Sequence, residues 1–545
     1  MSGLVAIVRF DGSDATLTPA ASEIGDVAVV FDGRIDARDD LARALGAPDV
    51  TPDAGLAARA FSVWGDDAPA HIIGDFAIAA WNRREHCLTL ARDRFGVRPL
   101  YFARVGDSVM AMTDLAALLA TGDLGATLDD AVIEDFLLFG CGLDETKTSF
   151  ARIGRVAPAH VAIFDERGVR QRRYWNLKAV DAPPPSDAVE QFRDLFSHAV
   201  ADRARGGRVA LSLSGGVDST AVAATLARVR PGATSAVTAG YEELIEDDDH
   251  RYAARAAAAL GIPHHFLRSD GYELFERWDD PHCRGLEPVD TPLRAAFIDL
   301  MRLLGDRGPV IMTGQGADAV LYASHGYFVG LLKRGRIDRV VREALGYALT
   351  RRRLPPLLFR SHLTRALRLT SDEPPLPRWI RGNLRERWRE YWAWRRRALH
   401  PARPEAAYFV QQPLWSSAFQ SYDFAWTGVR SELAVPFFDT RVVEFLFSLP
   451  PMPHFADKDI VRRAMAGSLP DDVRLRPKRP LGADPAQVLL RRQVERWLPR
   501  LNQPEIEGYV DRRILTESVR SAAARGAPMH HEIAALSLAV WLSYR

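Results

Sequence analysis

The sequence contains few cysteines and no long apolar run. Its three cysteines, Cys87, Cys141 and Cys283, lie far apart in a chain of 545 residues. An odd number of cysteines at such distances forms neither a disulfide framework nor a zinc cluster, which is typical of a chain kept in a reducing cytoplasm. Because no run reaches the roughly 18 apolar residues that a bilayer needs, no membrane span is expected. The apolar stretch after Met1 is also too short for a secretion signal.

Net charge is nearly absent as well. Lysine and arginine number 71 and aspartate and glutamate number 70, which leaves a net charge of +1. No global field therefore attracts nucleic acid or a membrane surface. The hydrophobic share of 47% and the charged share of 26% are those of ordinary globular proteins. Since 545 residues exceed what one hydrophobic core usually organises, two or three domains are expected.

The strongest local pattern lies at residues 208–224. An apolar run at 209–213 predicts a short buried strand, and an alanine-rich helix is expected from Thr220. The loop between them contains two glycines, two serines and an aspartate: Ser214, Gly215, Gly216, Asp218 and Ser219. Glycine lets the backbone approach an anion closely, and the amides at a helix start point toward it. Asp218 would repel a bare phosphate, so its presence indicates a bridging Mg²⁺.

This loop does not have the spacing of a Walker P-loop. Its Ser-Gly-Gly-x-Asp-Ser pattern resembles instead the pyrophosphate loop of enzymes that split ATP into AMP and pyrophosphate. The resemblance implies that the loop binds the pyrophosphate part of ATP. An ordinary strand-to-helix turn is the alternative interpretation.

Residues 1–180 alternate short strands with two short helices, which predicts a layered α+β sandwich. Segments 74–81 and 88–101 resemble the N-terminal glutaminase domain of asparagine synthetases. The resemblance implies an Ntn-type glutaminase-like αββα sandwich.

The residues that carry the chemistry of that family differ here. Ser2 stands where the family has its nucleophilic cysteine, and Gly55 stands where it has an acidic residue. Asp32 and Arg34 replace the asparagine and the glutamate of the family's Asn-Gly-Glu segment. An aspartate carboxylate cannot donate a hydrogen bond to an oxyanion, and Arg34 inverts the charge that should meet the glutamine amine. We therefore expect a degenerate class II glutamine amidotransferase-like domain, with Ser2 as a weak nucleophile as the alternative.

Residues 187–545 alternate strands and helices in βαβ order, which predicts a parallel sheet. This part resembles the synthetase domain of asparagine synthetases, an ATP-pyrophosphatase domain of the adenine nucleotide α-hydrolase-like type. The resemblance implies that Leu211 and Val237 lie against the adenine, and that Ser212 and Gly314 belong to the nucleotide site.

A second motif at residues 310–319 resembles the family's Ser-Gly-Glu-Gly-Ala-Asp-Glu segment. The resemblance implies that Asp318 supplies the second carboxylate for Mg²⁺, beside Asp218. The two glutamates of the family are Gln315 and Ala319 in this chain. Relatives that close β-lactam rings have a tyrosine used for proton transfer at the Gln315 position. Because glutamine does not titrate, that mechanism is not expected here.

Two lysines match the superfamily in their order along the chain. The resemblance implies that Lys458 meets the charge that develops on pyrophosphate, and that Lys478 stabilises the acyl-adenylate and the oxyanion formed when an amine attacks it. Glu432 lies in a segment that resembles the family's Glu-x-x-Val-Pro-Phe-x-Asp. It could position the amine or accept its proton. The alternative is an internal structural carboxylate.

A basic insertion occupies about residues 331–410. Residues 331–404 hold 20 lysines or arginines against 6 acidic residues, with four tryptophans among them: Trp379, Trp388, Trp392 and Trp394. Such a stretch could bind nucleic acid through phosphates and stacking, form a solvated helical face, or dock an acidic or aromatic peptide. No nucleic-acid motif accompanies it, so a nucleic-acid partner is not expected.

An ATP-cleaving site without its own ammonia supply favours an amine that belongs to the substrate, and hence ring closure. The chain resembles lasso-peptide macrolactam synthetases, which implies that ATP and Mg²⁺ activate an Asp or Glu side chain of a precursor peptide for attack by its N-terminal amine. A leader-peptide-binding protein and a leader peptidase are the partners that this implies. The alternatives are a β-lactam or carbapenam synthetase, an asparagine synthetase fed by free ammonia, and a non-catalytic scaffold.

Overall fold

The computed structural model describes most of the chain: residues 3–10, 15–178, 185–323, 327–351, 376–398, 403–479 and 481–545. Ser2 lies outside these residues, as do stretches 352–375 and 399–402 of the basic insertion. What the sequence predicts for them stays a prediction.

Eleven strands of the described N-terminal region form two antiparallel sheets. The strands are β1 (Val5–Arg9), β2 (Thr16–Thr18), β3 (Ser22–Ile24), β4 (Val27–Asp36), β5 (Ile73–Asn82), β6 (Cys87–Arg92), β7 (Tyr101–Val105), β8 (Ser108–Met112), β9 (Gly154–Arg155), β10 (His160–Asp165) and β11 (Gly168–Arg173). One sheet has the order β2-β1-β8-β7-β9, and the other has the order β11-β10-β6-β5-β4-β3.

Alternate residues of β5 show how the two sheets and their helices are layered. Ala77 and Ala79 face the other sheet in one hydrophobic cluster, whereas Phe76 and Ile78 face a second cluster that contains helices Arg38–Ala44 and Asp53–Trp64. This is the period of two expected of a strand buried on both faces. Helices Leu115–Leu119 and Asp130–Phe139 cover the outer face of the other sheet. The αββα sandwich predicted from the sequence is confirmed.

The C-terminal region is built on a parallel sheet, as predicted. Its strands are β12 (Val209–Ser212), β13 (Thr234–Gly240), β14 (His264–Arg268), β15 (Val310–Met312) and β16 (Glu432–Ala434), in the order β14-β13-β12-β15-β16. One face packs on helices Ala188–Arg203, Val217–Val229, Thr440–Ser448 and Asp459–Ala464, and the other on helix Arg294–Gly305. Because all five strands are parallel, their carboxyl ends meet at one edge of the sheet.

The other described helices surround these two units. They are Ala68–His71, Asp249–Ala259, Pro281–Arg284, Ala317–Val320, Tyr327–Lys333, Ile337–Arg351, Leu384–Ala398, Pro404–Val410, Leu414–Gln420, Phe424–Thr427, Asp471–Arg474, Pro485–Arg492, Val494–Trp497, Arg512–Arg525 and His530–Leu542. The last of them is buried from Ile533 to Leu542 and shares a core with helix Asp130–Phe139 of the N-terminal unit. None of the described helices has the length and apolarity to cross a bilayer.

The tryptophans of the basic insertion pack within the protein. Trp379 is 2% exposed and belongs to a hydrophobic core. On helix Leu384–Ala398, Trp388 stacks with Phe139, with ring centroids 5.6 Å apart, and Trp394 lies 5.4 Å from Tyr408. These contacts give the aromatic residues a packing role, which the charge pattern alone did not indicate.

Buried ion pairs join the two units. Arg203 of the C-terminal unit contacts Asp439 at 2.6 Å and Asp36 of β4 at 2.9 Å, and lies 3.5 Å from Asp75 of β5. Arg34 contacts Asp36 at 2.7 Å and Asp75 at 2.5 Å. Burial alone would lower the pKa of Arg203, but the three carboxylates raise it above its ordinary value. Both arginines therefore stay charged within the interface.

Removing the charge of Arg203 should strongly destabilise the fold. In Arg203→Met, Asp36 and Asp439 lose a buried partner, so we expect the free energy of unfolding to fall by about 3–5 kcal/mol. Urea denaturation measures this change. Arg43→Met is the control, because the Arg43–Asp40 pair is three-quarters exposed and should contribute almost nothing. Equal losses in the two variants would contradict a stabilising role of the buried pairs.

Candidate active site

Two glycine-containing loops touch at the carboxyl edge of the parallel sheet. The first follows β12, and the second follows β15. A methyl group on Gly314 would lie 2.7 Å from the amide nitrogen of Ser219, so only glycine permits this approach. The two motifs that the sequence singled out therefore form one continuous surface.

The first loop is ordered by its own side chains. The amide of Ser214 donates to Ser219 Oγ at 3.1 Å, and Thr220 Oγ1 donates to the carbonyl of Gly216 at 2.9 Å. The helix begins at Val217, three residues earlier than predicted, because Gly216 already has the extended conformation of a residue preceding a helix. Asp218 and Ser219 thus lie in the first helical turn, where amides have no partner within the helix.

Four charged side chains form a row beside the loops. Lys458 Nζ lies 2.5 Å from Asp218 Oδ2 and 2.6 Å from Asp318 Oδ1, and Lys478 Nζ lies 2.8 Å from Asp318 Oδ2. Lys458 is mostly buried, whereas Lys478 and Asp318 are exposed toward the opening. The structure therefore brings together the two lysines and the two carboxylates that the sequence predicted for the site.

The backbone at Lys458 is strained. Asp457 and Lys458 have φ angles of 50° and 58°, in the left-handed region that side chains other than glycine rarely adopt. The Lys458 amide donates to the carbonyl of Phe455 at 2.9 Å, which helps to hold this turn. Such strain persists only where the surroundings enforce it, and it concentrates at functional sites. The turn directs the Lys458 ammonium toward the two carboxylates.

The same residues fit a magnesium ion that accompanies ATP. Asp218 Oδ1 is buried without a hydrogen-bond partner, which leaves an oxygen free for a hard cation. Burial raises the pKa of Asp218 against the opposing effect of Lys458. Burial also disfavours ionisation of Asp318, but Lys458 and Lys478 outweigh it and hold the pKa of this carboxyl below its ordinary value. A bound Mg²⁺ would neutralise phosphate charge between Asp218 and Asp318.

The expected contacts of Leu211 and Val237 with the adenine stay a prediction. Both side chains are fully buried and belong to hydrophobic clusters on opposite faces of the sheet. Neither presents side-chain surface to a ligand. Ser212, which ends β12, and Gly314 do lie at the edge where the loops begin.

Glu432 is not part of the charged row. It starts β16 and pairs in register with Val310 at the start of β15, whereas the phosphate loop follows the opposite ends of the strands. Its carboxylate forms an ion pair with Arg34 of the N-terminal unit. This placement favours the structural alternative over the expected role with the amine.

At the position that corresponds to the glutaminase site, Asp32 is held by an ion pair and a hydrogen bond. Asp32 pairs with Arg98 and accepts a hydrogen bond from Thr113 Oγ1 at 2.8 Å. Thr113 Oγ1 in turn accepts from the amide of Leu4 at 2.9 Å. Asp32 is therefore fully engaged as an acceptor and offers no donor to an oxyanion.

An interdomain cavity of about 390 Å³ lies beside the second loop. Gln315 lines it, and the amide of this side chain donates to Tyr422 Oη at 2.9 Å. Residues 140–149 of the N-terminal unit supply part of the wall, together with Phe136. Burial raises the pKa of Tyr422 to about 12, against the opposing hydrogen bond of Gln315, so the phenol stays protonated at neutral pH. Sequence reasoning missed Tyr422.

Arg476 is the second residue that the sequence analysis missed. It is 9% exposed, and it contacts Asp249 at 2.7 Å and the carbonyl of Gly215 at 3.3 Å. Its position two residues before Lys478 is the feature of the sequence that could have indicated a role at the site.

Family models match nearly the whole chain. The asparagine synthase model matches residues 191–543, and the glutamine amidotransferase domain model matches residues 5–175. The chain belongs to the asparagine synthase family. It is thus an asparagine synthetase-like, ATP-dependent amide-forming enzyme.

Individual relatives are distant. Asparagine synthetase [glutamine-hydrolyzing] 3 of Bacillus subtilis is 25% identical over 505 residues, which cover 87% of this chain and 78% of that protein. Amidase chyE of Penicillium rubens is 27% identical over an aligned region that covers 49% of this chain and 42% of the amidase. Among solved structures, glutamine phosphoribosylpyrophosphate amidotransferase of B. subtilis is 13% identical over a region that covers 49% of this chain and 59% of that one. The TM-score of 0.23 is too low to indicate a shared overall fold.

Removing the Asp318 carboxylate should weaken magnesium-dependent nucleotide binding. In Asp318→Asn we expect the affinity for ATP with Mg²⁺ to fall by about 10- to 100-fold, because a charged ligand of the metal becomes neutral. Calorimetric titration with and without Mg²⁺ measures it. Asp338→Asn, at a solvent-exposed carboxylate on another helix, is the control. A loss of equal size in the absence of Mg²⁺ would argue against a metal-binding role of Asp318.

Proposed function

We propose that this protein closes a macrolactam ring in a precursor peptide, as lasso-peptide cyclases do. One observation carries the proposal: the charged row suited to adenylation is assembled, while the residues at the glutaminase positions are engaged in other contacts, Asp32 with Arg98 and Arg34 with Glu432. The amine must then come from outside the N-terminal unit. An amine on the activated molecule itself is the simplest source, and its attack forms a ring.

The proposed reaction has two steps. A side-chain carboxylate of the peptide attacks the α-phosphorus of ATP, which forms an acyl-adenylate and releases pyrophosphate. The N-terminal amine then attacks the acyl carbon, an amide bond forms, and AMP leaves as the amine loses its proton. In this scheme the buried Lys458 meets the charge on pyrophosphate, and the more exposed Lys478 meets the oxyanion of the second step.

The interdomain cavity supports a substrate larger than an amino acid. Its volume of about 390 Å³ lies within the range of pockets that enclose sizeable ligands. Apolar residues such as Phe136 and Leu414 line it together with the acidic Glu145 and Asp290. The apolar lining residues can contact apolar side chains of a peptide, and the acidic ones can attract its N-terminal ammonium. The N-terminal unit would thus serve as a wall of the substrate site.

A precursor peptide as the substrate implies that other proteins prepare it. A core peptide with a free N-terminal amine has to be released from its leader, so a leader peptidase and a leader-peptide-binding protein are the proposed partners. Gene neighbours that encode a short precursor peptide and such a protease would supply the natural substrate for testing.

The full-length protein, incubated with ATP, Mg²⁺ and the leaderless core peptide encoded beside its gene, should give a product lighter by one water. Mass spectrometry detects this product, and AMP and pyrophosphate should form in equal amounts. Lys478→Met should reduce product formation by about 100-fold or more, since one oxyanion-stabilising group is lost. Lys178→Met, at an exposed lysine outside the site and outside the basic insertion, should leave the rate unchanged.

Other outcomes would contradict the proposal. Pyrophosphate release only with a small β-amino acid would indicate a β-lactam or carbapenam synthetase. Asparagine formed from aspartate and ammonia would indicate an asparagine synthetase, and no turnover with any of these substrates would indicate a scaffold.

Filling the cavity should block the peptide without affecting the nucleotide. Leu414 lines the cavity and is 45% exposed, so Leu414→Trp narrows the cavity without disturbing a core. We expect the peptide's KM to rise by about tenfold or more, because about 1.4 kcal/mol of binding free energy is lost, while the Kd for ATP stays the same. Val63→Trp, at an exposed position outside the cavity and outside the basic insertion, is the control. Unchanged kinetics in Leu414→Trp would place the peptide elsewhere.

A further inference from the structure

Arg476 connects the phosphate loop to the segment that carries Lys478. One guanidinium nitrogen donates to the carbonyl of Gly215 at 3.3 Å, and the other contacts Asp248 and lies 2.7 Å from Asp249. The guanidinium also lies 4.1 Å from the ring centre of Tyr252. Four different residues thus contact this one buried side chain and fix its position.

Helix Asp249–Ala259 packs directly against the loop at this point. A methyl group on Gly215 would lie 2.2 Å from the carbonyl oxygen of Asp249 and 2.8 Å from the amide of Ala253. The loop therefore has no room to move toward the helix. Arg476 binds the first residues of this helix and the loop carbonyl at once, so it holds the two segments together.

The contact with Gly215 determines where the next amide points. The Gly215 carbonyl and the Gly216 N–H belong to one planar trans peptide unit, in which the two groups point in opposite directions. Because Arg476 holds the carbonyl, the Gly216 N–H is directed away from Arg476. Only Ser214 Oγ lies within 4 Å of the position that a Cβ on Gly216 would occupy, so the loop is uncrowded around this residue.

We propose that Arg476 is a positioning residue that aims the Gly216 amide at the pyrophosphate part of ATP without touching the nucleotide. The inference rests on the proposed ATP-cleaving function, but it concerns only how the loop distinguishes ATP from AMP. Losing Arg476 should cost affinity for the β- and γ-phosphates and leave the adenosine part unaffected.

Calorimetric titration of the full-length protein with ATP, AMP and inorganic pyrophosphate, each with Mg²⁺, tests this role. In Arg476→Gln we expect the Kd for ATP and for pyrophosphate to rise tenfold or more, and the Kd for AMP to change by less than threefold. Arg476→Lys keeps the charge but not the forked geometry, so it should recover only part of the affinity. Arg479→Ala removes an exposed positive charge three residues away and should change none of the constants.

Two results would overturn the inference. Equal losses for ATP and AMP in Arg476→Gln would indicate general destabilisation, and equal effects in Arg479→Ala and Arg476→Gln would indicate a long-range effect of charge. Arg476→Lys provides the comparison if Arg476→Gln does not fold. If the protein does not cyclise the peptide but still distinguishes ATP from AMP, the proposed function is contradicted and the role of Arg476 is not.

Discussion

The site depends on the ion pairs that link Lys458 and Lys478 to Asp218 and Asp318. Each of these side chains comes from a different segment, and two lysines so close together would repel each other without the carboxylates between them. A parallel sheet meets this requirement because its loops gather at one edge. The close contact of Gly314 with Ser219 and the strained turn at Lys458 complete the arrangement.

At the opposite edge, charges that replace glutaminase residues hold the two units together. Arg34 stands where the resemblance expects a glutamate, and it pairs with Glu432, Asp36 and Asp75. An unpaired charge at such a buried position would be costly, so the substitution requires these partners. The N-terminal unit thus has a structural role at the interface and forms part of the cavity wall.

The sheets and the glycine loop after β12 could be predicted from local patterns, since period-two alternation and glycine spacing reflect short-range sterics. Asp318, Lys458 and Lys478 of the row were implied by the resemblance to asparagine synthetases. The helix start at Val217 was misplaced because a loop motif and a first helical turn share the same residues. The burial of the Leu211 and Val237 side chains and the pairing of Glu432 with Arg34 could not be predicted, because position in a motif does not reveal which face of the sheet a side chain occupies, or which distant residue lies opposite.

The sequence by itself determined the fold class and the chemical character of the sheet edge, because residue types and their spacing decide which groups can bind phosphate and a metal. Only the tertiary structure decided the partners of those groups. Arg34 contacts Glu432, which is 398 positions away in the sequence, and Arg476 contacts Gly215, which is 261 positions away. Such contacts follow from the packing of separate segments, and no local pattern in the chain encodes them.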